Sequence, residues 1–253
     1  MPSIDDNVNN WGDPDSWERS GDDWSDSWGT THALWFGTIL KRIAKWLPVG
    51  HLLEIAPGQG RVTEWLLPHC ERYTGVDVAA ICVDACKSRF AQEVDATFHV
   101  GDGKTLPMVD DSSVDFAFSW DSLVHADRRA LEGYFSELAT KLRPGAAAFL
   151  HHSNLGAFVD ERGEVTVENP HWRDSSTSAE VIWELCRGAG LRCVSQELVQ
   201  WGLDYRGDCF TVLRRPADGE SADEAPRIFE NPHMNEEIGY CRRLDEHYGD
   251  ASE

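Results

Sequence analysis

Basic residues are scarce in this sequence of 253 residues. Only 23 lysines and arginines stand against 44 aspartates and glutamates, which gives a formal net charge of −21. A nucleic-acid-binding face needs clustered Lys and Arg side chains to displace counterions from phosphates. No basic run occurs, so the composition argues against a nucleic-acid partner. The acidity fits solubility and mutual repulsion between proteins in the cytosol.

Long apolar stretches are also missing. No segment approaches the roughly 18 apolar residues that span a bilayer, and residues 1–6 lack the charged-then-apolar layout of a signal peptide. We therefore expect a cytoplasmic protein without membrane insertion. The seven cysteines are an odd number in no metal-binding spacing. This pattern predicts free thiols that act as small buried side chains.

Aliphatic residues are nearly absent from residues 1–31, which nevertheless contain Trp11, Trp17, Trp24 and Trp28. Disordered segments are poor in aromatic residues. We therefore predict that this Trp-rich N-terminal arm folds as a lid over a cleft and becomes ordered when a ligand binds there.

The central part of the chain, residues 32–215, alternates strands with helices. Residues 33–47 repeat apolar side chains at helical spacing, and Pro48 ends that pattern. A further helix is expected after the Gly-rich turn that follows residue 55, and it extends to about residue 67. Other helices are expected at 79–90, 129–142 and 178–189. Buried strands are expected at 51–55, 73–78, 96–100, 114–120, 146–151, 191–201 and 208–214.

This alternation predicts an α/β, Rossmann-like, doubly wound fold with a mostly parallel seven-stranded sheet. The last two strands lack a full helix between them, which predicts a terminal antiparallel hairpin. Residues 216–253 are predicted to be an acidic C-terminal tail, with a flexible linker over 217–225 and a final helix over 235–248.

Acidic residues and glycines follow the first four predicted strands. Glu54 and a glycine-containing turn end the first strand, and such glycines let the backbone approach a ligand closely. Asp77 ends the second strand, where a carboxylate can accept hydrogen bonds from a ribose diol. Asp102 ends the third, where it could accept from an adenine amino group. Because ligands of open α/β folds bind at this edge of the sheet, one nucleotide-like site is predicted.

Over about residues 35–215 the chain resembles the class I S-adenosylmethionine-dependent methyltransferases. Residues 54–60 resemble the family's acidic-x-Gly-x-Gly-x-Gly motif, with Ala56 in place of the first glycine, and the 142–145 turn also matches. A nicotinamide dehydrogenase is the main alternative, but its three-glycine fingerprint is not supplied.

The resemblance implies S-adenosylmethionine as the methyl donor and S-adenosylhomocysteine as the product. It also implies the cofactor-binding residues. Glu54, Ala56, Gly58 and Gly60 would surround the methionine part, Asp77 would hold the ribose, Asp102 and Gly103 the adenine, and Ser119 and Trp120 would line the sulfonium pocket.

Histidines follow the fourth and fifth strands. A positioned base contributes about 10²–10⁴-fold to a rate, and histidine suits this role because its pKa lies near neutrality. His125 is the first candidate for a general base, His151 or His152 is the second, and Asp121 completes the predicted catalytic set. Asp121, His125 and His151 could instead bind Mg²⁺, but a single carboxylate disfavours this interpretation, and no metal ligand is predicted.

Aromatic and polar side chains near residues 170–173 suggest a platform for a sugar. Together with residues 24–29, 121–125 and 151–154, they resemble bacterial methyltransferases of sugars and polysaccharide biosynthesis. This resemblance implies O-methylation of a hydroxyl on a sugar or glycoside. The predicted substrate-binding residues are Trp28, Asn154, His171, Trp172 and Arg173.

Two other functions stay open at this point. The acceptor could be a non-sugar small molecule, such as a phenol or an amine. The chain could also be a non-catalytic S-adenosylmethionine-binding subunit that pairs through its aromatic arm. Association into a homo-oligomer is left open as well.

Overall fold

A computed structural model describes residues 2–93 and 95–249 of the chain. Eight strands form one sheet. They are β1 Val49–Ile55, β2 Cys70–Asp77, β3 Ala96–Val100, β4 Val114–Leu123, β5 Leu142–Ser153, β6 Arg192–Val199, β7 Asp208–Arg214 and β8 Arg227–Asn231. Eight α-helices accompany them in the described residues. They are α1 Ile4–Trp11, α2 Thr31–Leu34, α3 Leu40–Ile43, α4 Thr63–Leu66, α5 Ala80–Arg89, α6 Arg128–Lys141, α7 Ala179–Gly188 and α8 Met234–Gly249.

The strand order is β3-β2-β1-β4-β5-β7-β6-β8. Strands β1 to β5 run parallel, and β7 is antiparallel to both β5 and β6. The prediction of a mostly parallel Rossmann-like sheet with an antiparallel hairpin is confirmed. The order reverses direction between β1 and β4, and this switch point is where open α/β sheets bind ligands.

The predicted number of seven strands is wrong, because β8 adds an eighth. It lies within the predicted C-terminal tail and pairs in parallel with β6 at the sheet edge. Ile228 and Phe229 of this strand are exposed. An edge strand that is held by backbone pairing and buries almost no side chain has no hydrophobic alternation, so the pattern could not reveal it.

Two hydrophobic layers cover the faces of the sheet. Leu52, Phe116 and Phe149 belong to one layer. Their sequence neighbours Leu53, Ala117, Ala148 and Leu150 belong to the other. Successive side chains of a strand point to opposite faces, so continuous apolar strands fill both layers. Burial of each large side chain contributes about 1.5–3 kcal/mol.

The predicted helix over 33–47 is a continuous helical segment from Thr31 to Trp46. A π-helical turn, Trp35–Ile39, joins α2 to α3, and a 3₁₀ turn follows. Side-chain caps fix two longer helices: Asp127 accepts from the Ala130 amide before α6, and Ser178 accepts from the Val181 amide before α7.

Helix α8 packs on the N-terminal part of the chain through Met234, Ile238 and Cys241. Trp28 Nε1 donates to Thr38 Oγ1 over 2.9 Å, and Thr38 Oγ1 donates to Glu237 Oε1 over 2.8 Å. The C-terminal helix is therefore tied by hydrogen bonds to a tryptophan of the N-terminal arm.

All seven cysteines are free thiols, and six of them are buried. None of the helices within residues 2–93 and 95–249 is long and apolar enough to cross a membrane.

Candidate cofactor and acceptor site

A cavity of about 750 Å³ opens at the carboxyl ends of β1, β2 and β4, at the switch point of the sheet. The N-terminal arm covers it. Helix α1 contributes Ile4, Asn7 and Trp11 to its lining, and a 3₁₀ segment, Glu18–Trp28, contributes Trp24 and Trp28. Trp17, just before that segment, also lines the cavity. Asn7 Nδ2 donates to the carbonyl of His125 over 3.0 Å, which fixes α1 to the loop after β4.

The loop that follows β1, Ala56–Gly60, is the glycine loop. Its φ angles are 58° at Ala56, 59° at Gly58 and 90° at Gly60. All three lie in the left-handed region, which glycine adopts freely and a residue with a Cβ adopts at a cost. Ala56 and Gly58 line the cavity, whereas Gly60 does not. A Cβ on Gly60 would lie 2.5 Å from the ring of Phe90, so this glycine serves close packing.

Two buried acids lie beneath the glycine loop. Asp77 Oδ2 accepts from the Gly58 amide over 3.0 Å, and its Oδ1 accepts from the Ala79 amide over 2.9 Å. Burial raises the pKa of Asp77 to about 6. Glu54 accepts hydrogen bonds from Thr63 and Tyr73, and burial raises its pKa to about 7. Both acids line the cavity, as expected for a cofactor site.

The predicted adenine and sulfonium residues divide into two groups. Gly103 and Trp120 line the cavity, whereas Asp102 and Ser119 do not. Asp102 instead accepts from the Lys104 and Thr105 amides and from Thr105 Oγ1, within its own turn. Burial would raise the pKa of Asp102, but these hydrogen bonds outweigh it and leave the pKa below its ordinary value.

Trp120 and Ser119 each carry a buried polar atom, Nε1 and Oγ, that has no hydrogen-bond partner in the described part of the chain. A buried donor of this kind costs about 1–3 kcal/mol unless something else accepts from it. Trp120 therefore lines the cavity through other atoms of its ring, because its indole N–H is buried.

His125 lies at the cavity between two indole rings. Its ring centroid is 5.4 Å from that of Trp11 and 5.5 Å from that of Trp172. Its Nδ1 lies 3.0 Å from the Trp172 carbonyl oxygen, which can only accept, so Nδ1 carries the proton. The other nitrogen, Nε2, has no hydrogen-bond partner among the described residues. Burial lowers the pKa of His125, so the ring is neutral near pH 7 and Nε2 offers a lone pair.

The other two predicted catalytic histidines lie behind the cavity and do not line it. His151 is fully buried, and its ring stacks on Trp201 with centroids 4.7 Å apart. His152 bonds to Thr211 Oγ1 over 2.7 Å, and burial lowers its pKa to about 4. Both nitrogens of each ring are engaged within the protein, so neither ring has a free nitrogen to serve as a base.

Asp121 lines the cavity where β4 is irregular in its pairing with β5. Its φ angle is 56°, and its Oδ2 lies 3.3 Å from Arg61 Nη2. Trp172, with φ of 55°, is the second left-handed residue beside His125. Such backbone strain costs of order 1–3 kcal/mol each and persists where the surroundings hold it in place.

Not all of the predicted substrate-binding residues line the cavity. Trp28, His171, Trp172 and Arg173 line the cavity, whereas Asn154 does not. Asn154 Oδ1 accepts from the Ala179 amide at the start of α7, and Nδ2 donates to the Arg206 carbonyl. Asn154 therefore connects the end of β5 to two neighbouring segments.

Several lining residues were not predicted as part of the site. Arg61 and Asp23 are two of them. Arg61 directly follows the glycine loop, and this position in the sequence could have identified it as a residue of the site. No sequence signal pointed to Asp23 or to the contact between Trp201 and Trp28, whose centroids lie 5.3 Å apart.

No group of three His, Cys, Asp or Glu side chains within the described ranges is arranged to hold a metal ion. The nearest cation to Asp121 is Arg61 of the chain itself. The alternative of a Mg²⁺ site at Asp121, His125 and His151 lacks geometric support, because His151 uses both nitrogens elsewhere.

The fold is that of the class I S-adenosylmethionine-dependent methyltransferases, and three solved structures illustrate it. An S-adenosylmethionine-dependent methyltransferase from Clostridium acetobutylicum is 13% identical, with a TM-score of 0.56 over 76% of this chain and 92% of that one. The N-methyltransferase NodS from Bradyrhizobium japonicum is 18% identical, with a TM-score of 0.55 over 72% and 94%. The Haloferax volcanii methyltransferase in complex with the Trm112 activator is 21% identical, with a TM-score of 0.54 over 79% and 98%.

Residues 52–145 match the family described as "Methyltransferase domain". No curated protein sequence matches the chain. In fold, these solved structures agree with the expected resemblance to S-adenosylmethionine-dependent methyltransferases. S-adenosylmethionine as cofactor stays a prediction. The narrower resemblance to sugar methyltransferases stays a prediction.

Proposed function

We propose that this chain transfers a methyl group from S-adenosylmethionine to a hydroxyl of a sugar or glycoside, with His125 as general base. The observation that carries this proposal is the 3.0 Å contact of His125 Nδ1 with the Trp172 carbonyl. That contact fixes the proton on Nδ1 and leaves Nε2 of a cavity-lining, neutral ring free to accept a proton.

The residues present fit the cofactor. The glycine loop brings its backbone to the cavity, Asp77 offers carboxylate lone pairs beyond the two amides it already binds, and Gly103 supplies a side-chain-free wall. Asp77 would hold the ribose, and Trp120 and Glu54 would border the methionine part.

When bound, S-adenosylmethionine supplies an electrophilic methyl group on a sulfonium. The residues that line the cavity would orient the acceptor hydroxyl toward that methyl group. His125 Nε2 would take the proton of the acceptor hydroxyl, so that the acceptor oxygen could exchange this proton for the methyl group and S-adenosylhomocysteine would be the product. Orientation of two reactants in this way supplies up to roughly 7–11 kcal/mol.

The aromatic lining supports a sugar acceptor. Trp24 and Trp172 line the cavity and are 45% and 38% exposed, which leaves part of each indole accessible to a ligand. Indole faces stack on the apolar CH face of a pyranose, and nearby polar side chains bind its hydroxyls. His171 and Arg173 flank Trp172 on both sides in the same lining.

An amine acceptor is the second candidate, and Asp23 favours it. Asp23 lines the cavity beside tryptophans, and its Oδ1 is buried without a hydrogen-bond partner in the described residues. A cation is attracted both by a carboxylate and by indole faces. The amine would have to lose its proton before methylation, and His125 could serve it in the same way.

Labelled-methyl transfer to a panel of acceptors tests the proposal. Mannosyl, rhamnosyl and glucosyl compounds are compared with simple phenols and with primary and secondary amines, each with and without a chelator. Transfer to a sugar that survives chelation is the expected result. Transfer to amines or phenols alone would overturn the sugar acceptor and leave the cofactor site standing.

A further inference from the structure

A fully buried carboxylate, Asp208, lies at the start of β7 and does not line the cavity. Its Oδ1 accepts from Arg173 Nε over 2.7 Å and contacts His151 Nε2 over 3.0 Å. Burial would raise the pKa of Asp208, but Arg173 and His151 outweigh it and hold the pKa below its ordinary value. Asp208 is therefore an ionised group at the centre of a buried network.

One branch of this network leads to His125. Arg173 follows Trp172, the residue whose carbonyl fixes the proton on His125 Nδ1. Asn169 closes the same loop, since its Oδ1 accepts from the Arg173 amide and its Nδ2 donates to the Arg173 carbonyl, both over 2.9 Å. The anchored Arg173 therefore holds the left-handed Trp172 in place.

The other branch leads to Asp121. His151 Nδ1 accepts from the Asp121 amide over 3.1 Å, so the proton of this ring lies on Nε2 and is donated to Asp208. Asp121, like Trp172, lines the cavity and has a left-handed backbone. Both strained residues that flank the predicted base are thus connected to the same carboxylate oxygen.

We propose, on the basis of the proposed function, that Asp208 is a positioning residue for methyl transfer, because through Arg173 it fixes the tautomer of His125 and through His151 it fixes the Asp121 backbone. His151 and Arg173, predicted above as catalytic and substrate-binding residues, then act as the links between Asp208 and the cavity. Asp208 itself touches no substrate.

The charges that face His125 are those of Asp121, Arg173 and Asp208. Asp208→Asn removes a negative charge that favours the protonated form of the His125 ring. It also loosens the Trp172 carbonyl, whose hydrogen bond favours the same protonated form. Both effects lower the pKa of His125. The acidic limb of the pH–rate profile is therefore expected to move to lower pH while the maximal rate falls.

NMR of protein labelled with ¹⁵N-histidine measures the tautomer of His125, and together with kinetics it tests the proposal. In the unmodified protein His125 is expected as the Nδ1–H tautomer, and in Asp208→Asn as a mixture of tautomers. The kcat should fall roughly tenfold to a hundredfold, the usual cost of a small misplacement, with the affinity for S-adenosylhomocysteine unchanged. Thr211→Val is the matched control, because Thr211 is also buried on β7 but bonds to His152.

An unchanged tautomer in Asp208→Asn, or a rate loss that merely tracks the melting temperature as in Thr211→Val, overturns the proposal. If Asp208→Asn does not fold, Arg173→Lys replaces it as the test variant. Lysine keeps the positive charge but cannot make the same hydrogen bond to Asp208, so this variant must also show a mixture of His125 tautomers. A tautomer change in a protein that methylates no acceptor overturns the proposed function and still supports control of His125 by Asp208.

Discussion

The amide of Gly58 donates to Asp77 Oδ2 over 3.0 Å, which ties the glycine loop after β1 to the end of β2. Asp77 thereby holds the loop and faces the cavity at once. Because burial raises the pKa of Asp77 to about 6, the carboxylate that would accept from the ribose changes charge within a mildly acidic range.

The affinity for S-adenosylhomocysteine is therefore expected to fall as the pH drops through 6, where Asp77 takes up a proton. Asp77→Asn should weaken binding roughly tenfold to a hundredfold, the value of a hydrogen bond to a charged group, and should remove this dependence. Calorimetric titration across pH 5 to 8 measures both effects. Two control variants, Asp84→Asn at an exposed position on α5 and Glu54→Gln, should keep the fall in affinity near pH 6. If the fall persists in Asp77→Asn, its assignment to Asp77 is wrong.

His125→Ala should lower kcat by about 10²–10⁴, the contribution of a positioned base, and leave the affinity for S-adenosylhomocysteine unchanged. Burial lowers the pKa of His125, so the rate of the unmodified protein should decline only below about pH 6.5, the ordinary histidine value. Steady-state methyl transfer from pH 5 to 8 measures this. His99→Gln on β3, away from the cavity lining, is the control, and equal rates for both variants would exclude His125 as base.

Ala56→Gly should stabilise the fold slightly. The φ angle of 58° at Ala56 costs roughly 1–2 kcal/mol in the left-handed region, and the greater freedom of glycine in the unfolded chain offsets part of the gain. We expect a net gain of up to about 1 kcal/mol by urea denaturation. The reverse change, Gly58→Ala, should destabilise, because its Cβ would lie 2.7 Å from the Trp17 ring. Destabilisation by Ala56→Gly would show that this φ is not strained.

Cofactor binding is expected to protect the N-terminal arm from proteolysis. Trp17 lies against Gly58, and Ile4 lies near Gly103, so the arm packs on the predicted cofactor-binding backbone and gains contacts from a bound ligand. Chymotryptic cleavage between Trp17 and Trp28 should slow when S-adenosylhomocysteine is added. Glutamyl-endopeptidase cleavage in the exposed segment 217–225 serves as the internal control and should not change. Identical arm cleavage with and without ligand would argue against a lid.

The fold was readily predicted because its parallel strands are buried on both faces. Strand β4, for example, contains the apolar run 116–118 and follows the polar turn at 110–113, which marks its position in the sequence alone. The glycine loop and Asp77 could also be located, because a strand end is a defined position in such a sheet. Trp28 was predicted to bind substrate, yet its link through Thr38 to α8 was not foreseeable.

The rest of the site depends on contacts that span the chain. His125 and His151 both lie near the carboxyl ends of neighbouring strands, and only the hydrogen-bond partners of their nitrogens separate a free base from a fully bonded ring. Asp102 lies at a strand end too, but local amides occupy its carboxylate. Asp208 follows no motif, since its role arises from residues 35 and 57 positions away.

The bond chain from Trp28 through Thr38 to Glu237 makes one wall of the cavity depend on α8. The glycine loop and Asp77, at the cofactor end, have no comparable connection to that helix among the described contacts. Under the proposed function, donor recognition and acceptor selection are therefore supported by different parts of the molecule. Under that proposal, substitutions in α8, which contributes no residue to the cavity lining, would change the choice of acceptor while the methyl donor stays the same.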